Sequence, residues 1–115
     1  MPSTGAPKLQ IALDRGDRST LLRLARETAP YVDWIEAGTP WLMLEGIDAV
    51  RVLRASFPER FIVADLKIMD AGKYEAGLGF AAGADLVTVM AAASDATING
   101  ALQSAREHGR SVMVD

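Results

Sequence analysis

Ile62-Val63-Ala64-Asp65-Leu66-Lys67-Ile68-Met69-Asp70 reads as an apolar strand that ends in an acid, a base and an acid, with Ala71-Gly72 following. A strand buried on both faces is a near-continuous run of aliphatic residues. Unpaired charges inside it cost several kcal/mol, so Asp65, Lys67 and Asp70 are expected to converge where the strand opens onto a site. Asp65 and Lys67 share strand parity, which points both side chains to one face with Cα atoms roughly 6.5 Å apart. A carboxylate beside the ammonium keeps it charged, and the ammonium can stabilise a developing oxyanion or deliver a proton. Two other readings stay open: Asp70 as the N-cap of the next helix, and the whole cluster as a structural salt-bridge network.

Outward from this stretch, short apolar runs recur at 9–13, 34–37, 86–90 and 111–114. Helix-like stretches separate them. Ser19 to Ala29 is amphipathic, with Leu21, Leu22, Leu24 and Ala25 on one face. A second helix starts at Thr39-Pro40, a capping hydroxyl followed by proline, and runs to Phe57-Pro58 with a break at Gly46. A third runs from Asp70 to about Ala82 with Gly83 as its stop, and a fourth from Ser94-Asp95 to His108 with Gly109 in the same part. Four helices therefore alternate with five strands, which means a parallel sheet, either an open doubly wound sheet or a (β/α)8 TIM-type barrel. The first strand leads into Asp14-Arg15-Gly16-Asp17-Arg18, not a glycine-rich phosphate loop, so the dinucleotide fingerprint is absent. Polar residues recur instead at strand ends, at Asp14, Glu36, Asp65 with Lys67, Thr88 and Asp115, as on the catalytic rim of a barrel.

The composition narrows the chemistry. At 115 residues, half of them hydrophobic, the chain fits one domain. Twelve basic and 15 acidic residues are scattered, with net charge -3, and offer no basic stripe for nucleic acid. No apolar run nears the ~20 residues of a membrane span, and residues 1–8, read as a flexible segment, lack a signal-peptide core; a cytoplasmic protein is expected. With no cysteine and one histidine, metal ligation falls to carboxylates and a hard cation such as Mg²⁺. Glu36 within Trp34-Ile35-Glu36-Ala37 needs a partner, a metal or solvent, and Asp14 suits a turn as well as a site. The glycines at 72, 77 and 79 lack phosphate-loop spacing and suit close helix packing. His108 sits at a helix C-terminus, Trp34 and Trp41 read as packing, and Arg51 and Arg54 as decoration of an exposed helix face.

Together, Leu-Gln-Ile-Ala-Leu-Asp at 9–14, Asp-Trp-Ile-Glu-Ala-Gly-Thr-Pro at 33–40, Ala-Asp-Leu-Lys-Ile-Met-Asp-Ala-Gly at 64–72, Ala-Gly-Ala-Asp-Leu-Val-Thr-Val at 82–89, Ser-Asp-Ala-Thr-Ile at 94–98 and Val-Met-Val-Asp at 112–115 resemble the orotidine 5′-phosphate decarboxylase suprafamily of barrels. Within it the 3-hexulose-6-phosphate synthases are most similar, and the 3-keto-L-gulonate 6-phosphate decarboxylases share almost every motif. The resemblance implies aldol addition of formaldehyde to D-ribulose 5-phosphate through a Mg²⁺-stabilised enediolate. It further implies Glu36 and Asp65 as metal ligands, Lys67 on the enediolate oxygens, Asp14 on substrate hydroxyls, and Thr39 and Asp115 as substrate contacts. Asp70 is implied to reach the partner's site in a homodimer. A full barrel needs roughly 200 residues or more, so residues 9–115 are expected to be the N-terminal part of one, inactive alone. The alternative of another class is a non-catalytic half-barrel that completes itself by association.

Overall fold

The structure, a computed structural model, describes residues 5–115. The expected flexible segment 1–8 lies partly outside the described residues; within them, residues 5–8 are exposed and carry no regular element. The chain runs β1 (Gln10–Leu13), α1 (Arg18–Thr28), a 3-10 turn (Ala29–Tyr31), β2 (Trp34–Ala37), α2 (Thr39–Glu45), α3 (Asp48–Ser56), β3 (Phe61–Ile68), α4 (Gly72–Ala82), β4 (Leu86–Val89), α5 (Asp95–His108) and β5 (Ser111–Val114).

All five strands are parallel and lie in chain order, β1-β2-β3-β4-β5. That order decides between the two architectures left open above. A doubly wound sheet reverses direction at a switch point; here each crossover steps the same way, as in a (β/α)8 barrel, and five strands with their helices form part of one. The main core follows from strand parity. Leu13, Ile35, Ala37, Ile62, Ala64, Val87 and Val89 pack on Leu21, Ala25, Val50, Leu53, Ala76, Phe80, Ala101 and Ala105 of the helices. The register aligns Ala12, Glu36, Val63 and Leu86 on the opposite, inner face, where Val63 and Leu86 are buried outside that cluster.

Helix ends explain most boundaries. Asp17 caps α1 by accepting from the Thr20 amide at 2.8 Å, and Ser94 caps α5 through the Thr97 amide at 3.2 Å. Gly83 and Gly109 close α4 and α5 in the left-handed region, as their places in the sequence predict.

Four expectations are corrected. There are five α-helices among the described residues, not four, because Gly46 at φ 67° ends α2 outright and α3 starts two residues later. Thr39 does not cap α2: Gly38 is its N-cap and Thr39 its first residue, which frees the hydroxyl for another partner. Asp70 does not cap α4 either; the N-cap is Ala71, left-handed at φ 47° with no side-chain bond. Arg54 does not decorate a surface; it reaches back to Gly83 O and Asp85. The glycine reading holds at two of its three positions. A Cβ on Gly72 would lie 1.9 Å from Thr97 O, and one on Gly79 2.7 Å from Val87 Cγ1, whereas Gly77 has ordinary room.

Candidate active site

The site forms at the C-terminal ends of the strands, on the inner face. Its frame is a bulge. Pairing of β3 with β4 runs Val63 to Leu86 and Ala64 to Val87, then resumes only at Ile68 to Val89. Four residues of β3 thus span the length of two on β4, and Lys67 takes φ 47°, a left-handed conformation unfavourable for a residue with a Cβ. The regular alternation expected for Asp65 and Lys67 is therefore replaced by a local rearrangement, although both side chains still meet. Lys67 Nζ lies 3.3 Å from Asp65 Oδ2 and 2.5 Å from Asp115 Oδ2.

Asp65 is held from both sides. Thr88 Oγ1 donates to its Oδ1 at 2.7 Å, and Thr39 Oγ1 lies 2.9 Å from Oδ2 and 2.7 Å from the Asp65 carbonyl. Thr39, placed by the resemblance against substrate, thus directs its proton to Asp65. The Lys67 ammonium is held above its usual pKa, first by its bond to Asp115 and then by Asp65, so it is a fixed positive charge at neutral pH.

Glu36 sits one strand away and is buried, at 9% exposure. Gln10 Nε2, on the same inner face of β1, donates to its Oε1 at 2.5 Å. Burial, and next the negative charge of Asp65, push its pKa up from 4.5 to about 7; Gln10 and, more weakly, Lys67 oppose the rise, and Asp14 adds to it. Asp14 follows β1 and is exposed. Its Oδ1 lies against the Cα of Gly38, where a Cβ would come within 1.8 Å, so no larger residue at 38 leaves Asp14 in place.

Asp70 stands apart. Among the described residues no hydrogen bond or ion pair joins it to Asp65 or Lys67; it is exposed and helps burial raise the Glu75 carboxyl in the first turn of α4. Convergence of all three charges, expected from the sequence, holds for Asp65 and Lys67 and fails for Asp70, because Ala71 turns the chain into α4 just after it. The structure adds Gln10, Gly38 and Thr88 to the site. Only Thr88 left a trace in the sequence, as a polar residue at a strand end.

Among the described residues no three or more His, Asp or Glu side chains gather in ion-holding geometry. Two carboxylates do raise one another's energy: Glu36 and Asp65. Such a pair of hard oxygen donors fits a cation like Mg²⁺, which takes one or two protein carboxylates and fills its remaining positions from water and substrate.

The buried acid gives a pH dependence with a definite sign. Glu36 holds its proton more tightly folded than unfolded, so its contribution to stability is full below pH 4.5 and is lost as pH rises to about 7. A rise from 4.5 to about 7 corresponds to about 3 kcal/mol. Glu36→Gln, which cannot ionise, is expected to gain up to about that much over the wild type at pH 8 and little at pH 4, in urea unfolding without added cations. An equal difference at both pH values refutes the assignment.

The comparisons with known proteins agree with this geometry. A family model described as "Orotidine 5'-phosphate decarboxylase / HUMPS family" matches residues 7–115. A curated 3-hexulose-6-phosphate synthase of Mycobacterium gastri is 45% identical over 108 residues, which are 94% of this chain and 52% of that protein. A crystal structure of 3-hexulose-6-phosphate synthase superposes with TM-score 0.92 at 45% identity, over 95% of this chain and 53% of the other. A 3-keto-L-gulonate-6-phosphate decarboxylase from Vibrio cholerae gives 0.91 at 39%, over 94% and 50%. KGPDC from Streptococcus mutans, solved in complex with a phosphorylated sugar, gives 0.89 at 35%, over 94% and 51%. The chain spans about half the length of the curated relatives it matches.

Proposed function

We propose, since this chain belongs to the orotidine 5′-phosphate decarboxylase / HUMPS family, that it forms the first five strands of a cytoplasmic 3-hexulose-6-phosphate synthase barrel. The reaction is aldol addition of formaldehyde to D-ribulose 5-phosphate. The observation that carries this reading is Lys67, lodged between Asp65 and Asp115 beside the buried Glu36.

Loss of a proton from carbon 1 of the ketose leaves an enediolate, whose carbon attacks formaldehyde; the two oxygens then share a negative charge. Lys67, fixed in its charged form, donates to those oxygens as the charge develops. Glu36 and Asp65 would hold Mg²⁺, which when bound supplies Lewis-acid stabilisation of the same charge. Asp14 holds a substrate hydroxyl, with Gly38 leaving it the room; Thr39 fixes Asp65, and Asp115 orients both Lys67 and substrate. Asp70, turned away from its own cluster, serves the site of a second subunit in a homodimer. Phosphate grips in such barrels follow strands seven and eight, outside the five strands here, so residues 1–115 alone are inactive.

The decarboxylase is the second reading, favoured by its close superposition. Loss of carbon dioxide from a 3-keto acid phosphate leaves an enediolate that the same Lys67 would stabilise. The full-length protein, assayed with Mg²⁺ and again with chelator, is expected to condense formaldehyde with D-ribulose 5-phosphate and to lose that activity on chelation. Turnover of 3-keto-L-gulonate 6-phosphate in its place selects the second reading. Inactivity with both substrates overturns both and leaves the non-catalytic half-barrel.

A further inference from the structure

We infer that Thr88 is a positioning residue, whose one hydroxyl sets the bulge that presents Asp65 and Lys67 together; its kinetic consequence rests on the function proposed above. A threonine hydroxyl has one proton to donate and lone pairs to accept. Thr88 uses both, donating to Asp65 Oδ1 at 2.7 Å and accepting from the Lys67 backbone amide at 2.9 Å.

The second bond answers a question the ladder poses. Where four residues of β3 face two of β4, regular pairing lapses between Ala64 and Ile68, and a part-buried amide needs another acceptor. The side chain of Thr88 takes that place. It is itself buried, at 4% exposure, on the strand opposite the bulge, so it cannot reach substrate. Its two partners are alternate residues of one strand, and fixing both through one atom ties the carboxylate orientation to the left-handed turn at Lys67. Without the hydroxyl, Lys67 has no reason to stay at positive φ. Its Nζ then leaves the position between Asp65 and Asp115.

Thr88→Val keeps the shape and removes the hydroxyl, while Thr88→Ser keeps the hydroxyl and removes a methyl group. In the full-length protein, valine is expected to lower kcat on the order of 10–100-fold, the usual loss on removing a support of a site ligand, with a smaller change in KM. Serine restores most of it. The same variants are read by exchange of the Lys67 amide proton in ¹⁵N spectra, slow in the wild type and with serine, and faster on the order of tenfold or more with valine. Packing alone predicts the reverse order, with valine equal to the wild type and serine worse, and that result overturns the inference. Thr88→Ala, which adds no bulk, gives the same two readouts if valine does not fold. Amide exchange also separates the two failures: a wild type inactive with both sugars defeats the proposed function, whereas a Lys67 amide indifferent to the hydroxyl defeats the role of Thr88.

Discussion

Lys67→Ala is expected to lower kcat of the full-length enzyme by roughly 10²–10³-fold, the scale for losing one pre-set donor to a developing oxyanion. Lys67 is the cation that contacts Asp65 and Asp115, and both contacts hold it protonated. The substitution therefore removes a charge available in the transition state without opening a void, since the side chain is 43% exposed. Stability is expected to change by less than about 1 kcal/mol, as for exposed ion pairs generally. A second consequence follows from the sign of the charges. Lys67 is one of two groups that restrain the upward shift of the Glu36 carboxyl, so its loss moves Glu36 still higher and shifts residual activity towards higher pH. Steady-state kinetics from pH 6 to 9 with parallel thermal melts check both parts. A kcat within threefold of the wild type on a folded Lys67→Ala protein, by the scale just given, removes Lys67 from the mechanism.

The outline of the barrel was legible because its signals are local. Apolar runs of period two, a capping serine at 94 and glycines at 83 and 109 each act within a few residues, and each stands where the sequence reading placed it. The bulge was not legible. Asp65 and Lys67 differ by two positions in a regular strand and in a bulged one alike, and only the register against Val87 and Val89 reveals the extra residues. Thr39 and Asp70 were read as caps on local grounds. Tertiary partners prevailed at Thr39, whose hydroxyl meets Asp65 across 26 residues. At Asp70 the left-handed turn at Ala71 shifted the helix start beyond reach of its carboxylate. Gly38 shows the same limit, because its need for no side chain arises from Asp14 on the neighbouring strand. Local chemistry thus located the catalytic end, and long-range contacts decided which atoms are available there.

Arg54 extends that lesson to the opposite end of the strands, where the largest expected loss of stability lies. Asp85, 13% exposed at its side chain, accepts from Arg54 Nη2 at 2.5 Å and from the Ile62 amide at 2.8 Å through Oδ2, and pairs with Arg110 through Oδ1. Arg54 also donates to Gly83 O at 2.9 Å and to Arg60 O at 2.8 Å. One carboxylate and one guanidinium thereby join α3, the loop before β3 and the start of β4. Asp85→Ala leaves Arg54 without its counter-charge and the Ile62 amide without an acceptor. Breaking a buried pair in this way costs about 3 kcal/mol, which is a large part of the margin of an ordinary domain. Arg110→Ala is expected to cost less than about 1 kcal/mol, because that partner is 39% exposed and solvent screens it. Three residues of strand separate Ile62 from Asp65, roughly 10 Å, so kcat per folded molecule should not change in either variant. Urea unfolding of the two, with kinetics on the folded fraction, gives the comparison. Equal losses for Asp85→Ala and Arg110→Ala would show that burial of the Arg54 pair is not what holds these elements together.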